Sequence, residues 1–141
     1  NQIDEICQAC DGQIEIGTQM TVCTSQDFLT DRGEVKIVLN HNNEALYFSR
    51  EPIPHLRNVN VNDWSSHFKY YRHVGTYVYR TDVLEKISKL STSSLEIAES
   101  LEQLRWLQNG FKIKCVETNY DSHAVDTPDD IEKVIRLMNI S

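Results

Sequence analysis

Near the end of the chain, AVDTPDDIEKV (residues 124–134) carries three aspartates, and carboxylates are what a hard cation such as Mg²⁺ binds. Two of them have a local explanation. Thr127 reads as a helix N-cap with Pro128 at the first helical position, so Asp129 and Asp130 fall in the first turn. There their charge suits the helix dipole and the unpaired N–H groups. Ile131, Val134, Ile135 and Met138 follow at helical spacing and predict one buried stripe. Asp126 is left over, between an extended segment and a helix start, where open α/β sheets favour ligand sites. It is either a Mg²⁺ ligand, with water and phosphate completing the shell, or a turn residue accepting backbone N–H groups.

Other residues could orient a polar substrate. In SSLEIAESLEQLRWLQNG (residues 93–110), Ile97, Leu101 and Leu104 form one stripe of a continuous helix, while Glu102 and Gln103 share the other side with Leu95 and Trp106. A carboxylate and an amide on such a face can read sugar hydroxyls. The plainer alternative, which spacing alone favours, is a solvated Glu102 paired with Arg105 or Trp106. In YYRHVGTYVYR, alternation puts Tyr71, His73, Gly75, Tyr77 and Tyr79 on one face. His73 is then either a hydrogen-bonded core residue or part of a site, and Gly75 in mid-strand leaves room for a ligand or a backbone to come close. Arg50 and Arg57 bracket a Pro-containing loop, and two guanidinium groups would suit a carboxylate or phosphate. His41, His55, His67 and His123 share no ligand spacing. No G-x-S-x-G, Gly-rich phosphate loop or nucleophile–base pair can be assembled.

The elements that must carry these residues follow from the pattern. A helix over residues 2–10, stopped by Asp11-Gly12, precedes a strand within QIEIGTQMTVCT. EVKIVL and EALYFSR are strands of a hairpin turned by NHNN. A polar loop leads from Glu51 to FKYYRHVGTYVYR, the longest strand. Then come a helix with Thr81 as its cap, the helix of 93–110 with a Ser93/Glu96 capping box and Gly110 beyond its end, the strand FKIKCVET, and the closing helix. One layered α/β unit with a mixed sheet results.

Composition bounds the partners. The 141 residues suit a single domain, and a net charge of −7 with no basic stripe argues against nucleic acid or an anionic membrane. No apolar run approaches a membrane span and no secretory pattern opens the chain. Four cysteines are too sparse for a disulfide framework. Cys7 and Cys10 continue an apolar helical face with Ile3 and Ile6, so packed thiols are expected rather than half a zinc site, and reduced thiols point to the cytoplasm.

EVKIVLNHNNEALYFSREPIP, RHVGTYVYR, SSLEIAESLEQLRWLQNGFKIK and AVDTPDDIEKV together closely resemble the second half of the 3-deoxy-manno-octulosonate cytidylyltransferase (CMP-Kdo synthetase) family, in order and over essentially the whole chain. The resemblance implies part of a nucleotide-diphospho-sugar transferase type of α/β fold, and a Mg²⁺-dependent homodimer. It also implies transfer of CMP from CTP to the sugar acid Kdo, with release of pyrophosphate, for lipopolysaccharide assembly. By resemblance, Arg50 and Arg57 serve the acidic substrate side, His73, Glu102 and Gln103 contact the sugar, and Asp126 binds the metal. No residue is assigned as a covalent nucleophile, and the implied mechanism needs none.

The family's first half carries a PAR-x-x-S-x-R-x-PGKPL phosphate loop and a QGDEP-like metal stretch, neither of which occurs here. The chain also opens NQIDEICQAC, without an initiator Met and already helical in pattern. It is therefore expected to be the sugar-acid-binding and dimerisation half of a longer enzyme, lacking the N-terminal nucleotide-binding half and inactive alone. Glu51, Ser94 and Ala124 depart from the family pattern without removing an expected ligand. Two alternatives are a non-catalytic sugar-acid-binding and dimerisation module, and the same transfer to 8-amino-Kdo or another ulosonic acid.

Overall fold

The computed structural model describes residues 2–10, 12–120, 131–132 and 134–136. Asp126, His123, the cap at 127–130 and Met138 lie outside these residues. Ile131 and Ile135 are each 51% exposed, against the expected buried stripe, because neither joins a core cluster of the described residues.

Among the described residues five strands make one mixed sheet: β1 (Ile16–Val22), β2 (Lys36–Leu39), β3 (Ala45–Ser49), β4 (Tyr71–Tyr79) and β5 (Ile113–Glu117), in the order β3-β2-β4-β1-β5. Only β1 and β5 run parallel; the other neighbours are antiparallel. The NHNN hairpin forms as expected, with Asn43 in the left-handed region at φ 55°. Its tip reaches the far edge strand, where Glu44 bridges Lys114 and Cys115 N–H donates to Asn43 O at 2.8 Å. The sheet therefore curls until its two edge strands meet at one end.

Helices cover the sheet: α1 (Gln2–Ala9), α2 (Gln26–Thr30), α3 (Trp64–His67), α4 (Thr81–Ile87), α5 (Ser94–Glu99) and α6 (Gln103–Gln108). On one face, Val83, Ile87, Leu104 and Trp106 pack with Ile16 and Phe48 in the main core. On the other, α1 lies so close that a Cβ on Gly17 would stand 2.6 Å from Cys10 Sγ and 2.8 Å from Val78 Cγ2. A second cluster gathers Cys23, Leu29, Trp64 and Tyr70.

Several expectations change. Cys7 is exposed, so only Cys10 of the pair packs inward. Thr81 is the first residue of α4 and Arg80 stands at the cap with no side-chain cap bond. Two short helices interrupt segments without strong periodicity: α2, whose N-cap Ser25 accepts from Phe28 N, and α3.

The largest change concerns residues 93–110. The capping box is present, but the helix stops at Glu99 because Ser100 turns left-handed at φ 55°. Leu101 N–H reaches back to Glu96 O at 3.2 Å, the six-to-one bond of a Schellman ending, and α6 then begins on a new axis. The break resets the helical phase. Leu101 and Leu104 are buried as expected, whereas Ile97 is 69% exposed and Trp106 turns into the core.

Candidate functional site

β4 is bulged where it pairs with β1. Thr18 pairs with Tyr77 and Gln19 with Val74, so Gly75 and Thr76 fall between consecutive partners. The mid-strand glycine marks this bulge, and no described chain closes on it: a Cβ there would meet nothing within 4 Å. The bulge presents the Val74 and Thr76 carbonyls to the Thr18 hydroxyl, at 3.3 and 2.9 Å. Thr18 Oγ1 also lies 2.9 Å from His73 Nε2. The hydroxyl has one proton and donates it to these carbonyls, so toward His73 it accepts. Nε2 therefore carries the imidazole proton and Nδ1 the lone pair. Burial holds the His73 pKa down to about 4, which keeps the ring neutral near pH 7.

An aromatic wall extends from this histidine. Phe48 meets it edge-on at 5.3 Å and Tyr77 lies at 5.2 Å on the other side. Trp106 stands edge-on to Tyr77 at 5.3 Å and to Tyr79 at 5.6 Å, a favourable geometry for aromatic pairs. The Tyr77 hydroxyl is buried without a well-formed hydrogen bond, Thr18 being the polar neighbour that acts on it. Burial raises the pKa of Tyr77, and burial followed by the nearby Glu102 charge raises that of Tyr79 to about 12. Both phenols stay protonated.

The expected site residues are placed unevenly. His73, Tyr77, Tyr79 and Glu102 come together on one side of the sheet, and Gln103, 6% exposed, follows Glu102 at the start of α6. Glu102 also keeps the plainer partner foreseen for it, Arg105 at 3.5 Å. Arg50 is tied to the chain just before Glu102: its Nε donates to Glu99 O at 2.8 Å and its Nη2 to Ser100 O at 3.3 Å. Arg57 is exposed on a loop whose Leu56 and Val59 pack on the second cluster, and among the described residues no contact joins it to the others. Among the described residues no three His, Cys, Asp or Glu side chains converge as a metal site. Thr18 and Glu99 were missed by sequence reasoning. A buried hydroxyl on the core face of β1 was the available signal for Thr18; Glu99 had none.

Neutral acceptors, an amide, phenols and aromatic faces suit a polyhydroxylated ligand and offer no nucleophile. The cytidylyltransferase family model matches residues 1–113. This chain belongs to that family. The 3-deoxy-manno-octulosonate cytidylyltransferase of Porphyromonas gingivalis is 44% identical over 141 residues, covering 97% of this chain and 56% of that protein. Its counterpart in Geotalea uraniireducens is 46% identical over 145 residues, covering 96% and 57%. A solved CMP:2-keto-3-deoxy-manno-octonic acid synthetase complexed with CTP superposes with a TM-score of 0.86 at 38% identity, covering 98% of this chain and 55% of that one. The chain thus spans about half the length of the curated relatives it matches. The mixed α/β sheet of this cytidylyltransferase chain is that of the solved synthetase. Among its described residues no helix is long and apolar enough to cross a membrane.

Proposed function

We propose that this chain provides the sugar-acid-binding part of an enzyme that transfers CMP from CTP to Kdo and releases pyrophosphate, in lipopolysaccharide biosynthesis. The observation that carries the reading is His73. It is a neutral imidazole whose tautomer is fixed by Thr18, set in an aromatic wall beside Tyr77. The relatives' activity as 3-deoxy-manno-octulosonate cytidylyltransferases and the CTP complex of the solved synthetase support the same substrates.

In this reading Nδ1 of His73 accepts a hydrogen bond from a sugar hydroxyl, Gln103 and Glu102 read further hydroxyls, and Arg57 attracts the acid. The anomeric oxygen bonds to the α-phosphorus as the bond to the β-phosphate breaks, and the hydroxyl proton passes to solvent. The chain's own residues orient the acceptor, holding its reacting oxygen close to the position of attack. Mg²⁺ belongs to the proposal through Asp126, where one carboxylate with water and phosphate suffices. The described residues make no such site by themselves, so no step is assigned to the ion. A cytoplasmic homodimer completes the proposal.

Pyrophosphate release from CTP and Kdo with Mg²⁺, by the full-length protein that contains these residues, tests the reading, with His73→Ala and Asp126→Ala beside it. Kdo-dependent release that falls in both variants is the expected result. Kdo binding without release supports a non-catalytic module instead, and faster release with 8-amino-Kdo changes the acceptor.

A further inference from the structure

Resting on that reading, we infer that Arg50 is a positioning residue, one that sets Glu102 and Gln103 by bracing the left-handed break at Ser100. The end of α5 is stapled to the end of β3 by four hydrogen bonds. Ser49 Oγ donates to Glu99 Oε1 at 2.8 Å and Arg50 N to Glu99 Oε2 at 2.9 Å, while Arg50 Nε and Nη2 hold the Glu99 and Ser100 carbonyls. Nη1 donates to Arg32 O at 3.0 Å, anchoring the same guanidinium to the segment before β2.

The need for such a brace follows from the backbone. The last carbonyls of a helix have no intrahelical partner, and those of Glu99 and Ser100 are the ones Arg50 takes. A left-handed residue is usually glycine, since a Cβ makes the conformation costly, yet here it is serine. Ser100 is held in place by the bonds to Glu96 O within the helix ending and by Arg50 from outside, rather than by its own preference. Two residues later come Glu102 and Gln103, the latter buried. Any rotation at Ser100 is carried directly into where those side chains point. An arginine fork matches this set of carbonyls, and a lysine cannot.

The test uses the full-length protein and four variants: Arg50→Lys, Glu99→Ala, Ser100→Gly and Arg50→Lys with Ser100→Gly. For a brace, Arg50→Lys raises the KM for Kdo about tenfold with kcat and the KM for CTP little changed, the pattern of lost ground-state positioning. Glu99→Ala gives a similar rise. Ser100→Gly, which accepts φ 55° without strain, restores most of the loss in the double variant. Amide exchange at Leu101–Gln103 without substrate should quicken in Arg50→Lys and slow again in the double variant. If Arg50 instead grips the acid directly, Ser100→Gly rescues nothing and exchange is unchanged, which overturns the inference. Should Arg50→Lys fail to fold, Glu99→Ala with and without Ser100→Gly decides by the same two readouts. A wild-type protein with no Kdo-dependent turnover removes the functional reading, and amide exchange still judges the brace.

Discussion

Thr18 and His73 form a hydrogen-bonded pair across β1 and β4, 2.9 Å apart, in which the threonine accepts because its own proton is held by Thr76 O. Removing that acceptor frees the imidazole tautomer. Thr18→Val should show a mixture of tautomers by nitrogen NMR of His73 and a several-fold higher KM for Kdo. Thr18→Ser, which keeps the hydroxyl, should show neither. The valine variant should also lose about 1–3 kcal/mol of stability, the cost of leaving a buried hydrogen-bond partner unpaired. A single unchanged tautomer in Thr18→Val would sink the assignment.

The same histidine sets a pH dependence. His73 titrates near 4 in the folded chain because of burial, against about 6.5 for the free side chain. Between those values the unfolded chain binds the proton and the folded chain does not, so stability is full above about pH 6.5 and falls as the pH drops toward 4. The shift corresponds to about 3 kcal/mol at most, at roughly 1.4 kcal/mol per pH unit. Denaturant titrations of wild type and His73→Gln across pH 4–7 check it: the glutamine variant should show a shallower decline.

The helix break makes two neighbouring leucine-like positions behave differently. Leu101 is 6% exposed and Ile97 is 69% exposed, though an unbroken helix would bury both on one stripe. Leu101→Ala should cost about 2–5 kcal/mol, and Ile97→Ala should stay within about 0.5 kcal/mol. Comparable losses from the two, measured by thermal or urea unfolding, would restore the continuous helix.

Gly17 is required by close packing. Its alanine variant places a methyl carbon against Cys10 Sγ and Val78 Cγ2. Overpacking of this kind costs about 1–3 kcal/mol. Cys10→Ala should recover part of that loss when combined with Gly17→Ala, and urea midpoints of the single and double variants give the comparison. Independent, additive effects would mean that the two residues do not meet.

How much of this was legible in the sequence depended on the range of the interaction. The NHNN turn and the Ser93/Glu96 capping box are written within four residues, and both formed where expected. The alternation of β4 correctly put His73 with Tyr77 and Tyr79, since the bulge adds two residues and so preserves the face. Local pattern could not reveal the end of α5. No glycine, proline or asparagine marks Ser100, and the group that stabilises its turn is Arg50, far away in the chain. Two guanidinium groups flanking one loop looked equivalent in sequence; in space one is locked to three carbonyls and the other is exposed. The small helix after Ser25 had a cap residue but too few periodic positions to stand out.

The contact between the hairpin tip and β5 has a consequence for alignment. Side chains on a strand change faces with every residue, so sliding β5 by one position against β1 would turn Ile113 and Cys115, both now buried, outward. Parallel pairing with β1 alone leaves such a slip open along the strand. The tip forbids it: Asn43 O takes the Cys115 N–H, Asn42 O takes the Lys114 ammonium, and Glu44 meets Lys112 at 3.4 Å. A turn built from four polar residues thus acts as the end-stop of a slide rule, fixing at one point the numbering of a strand that begins about seventy residues later.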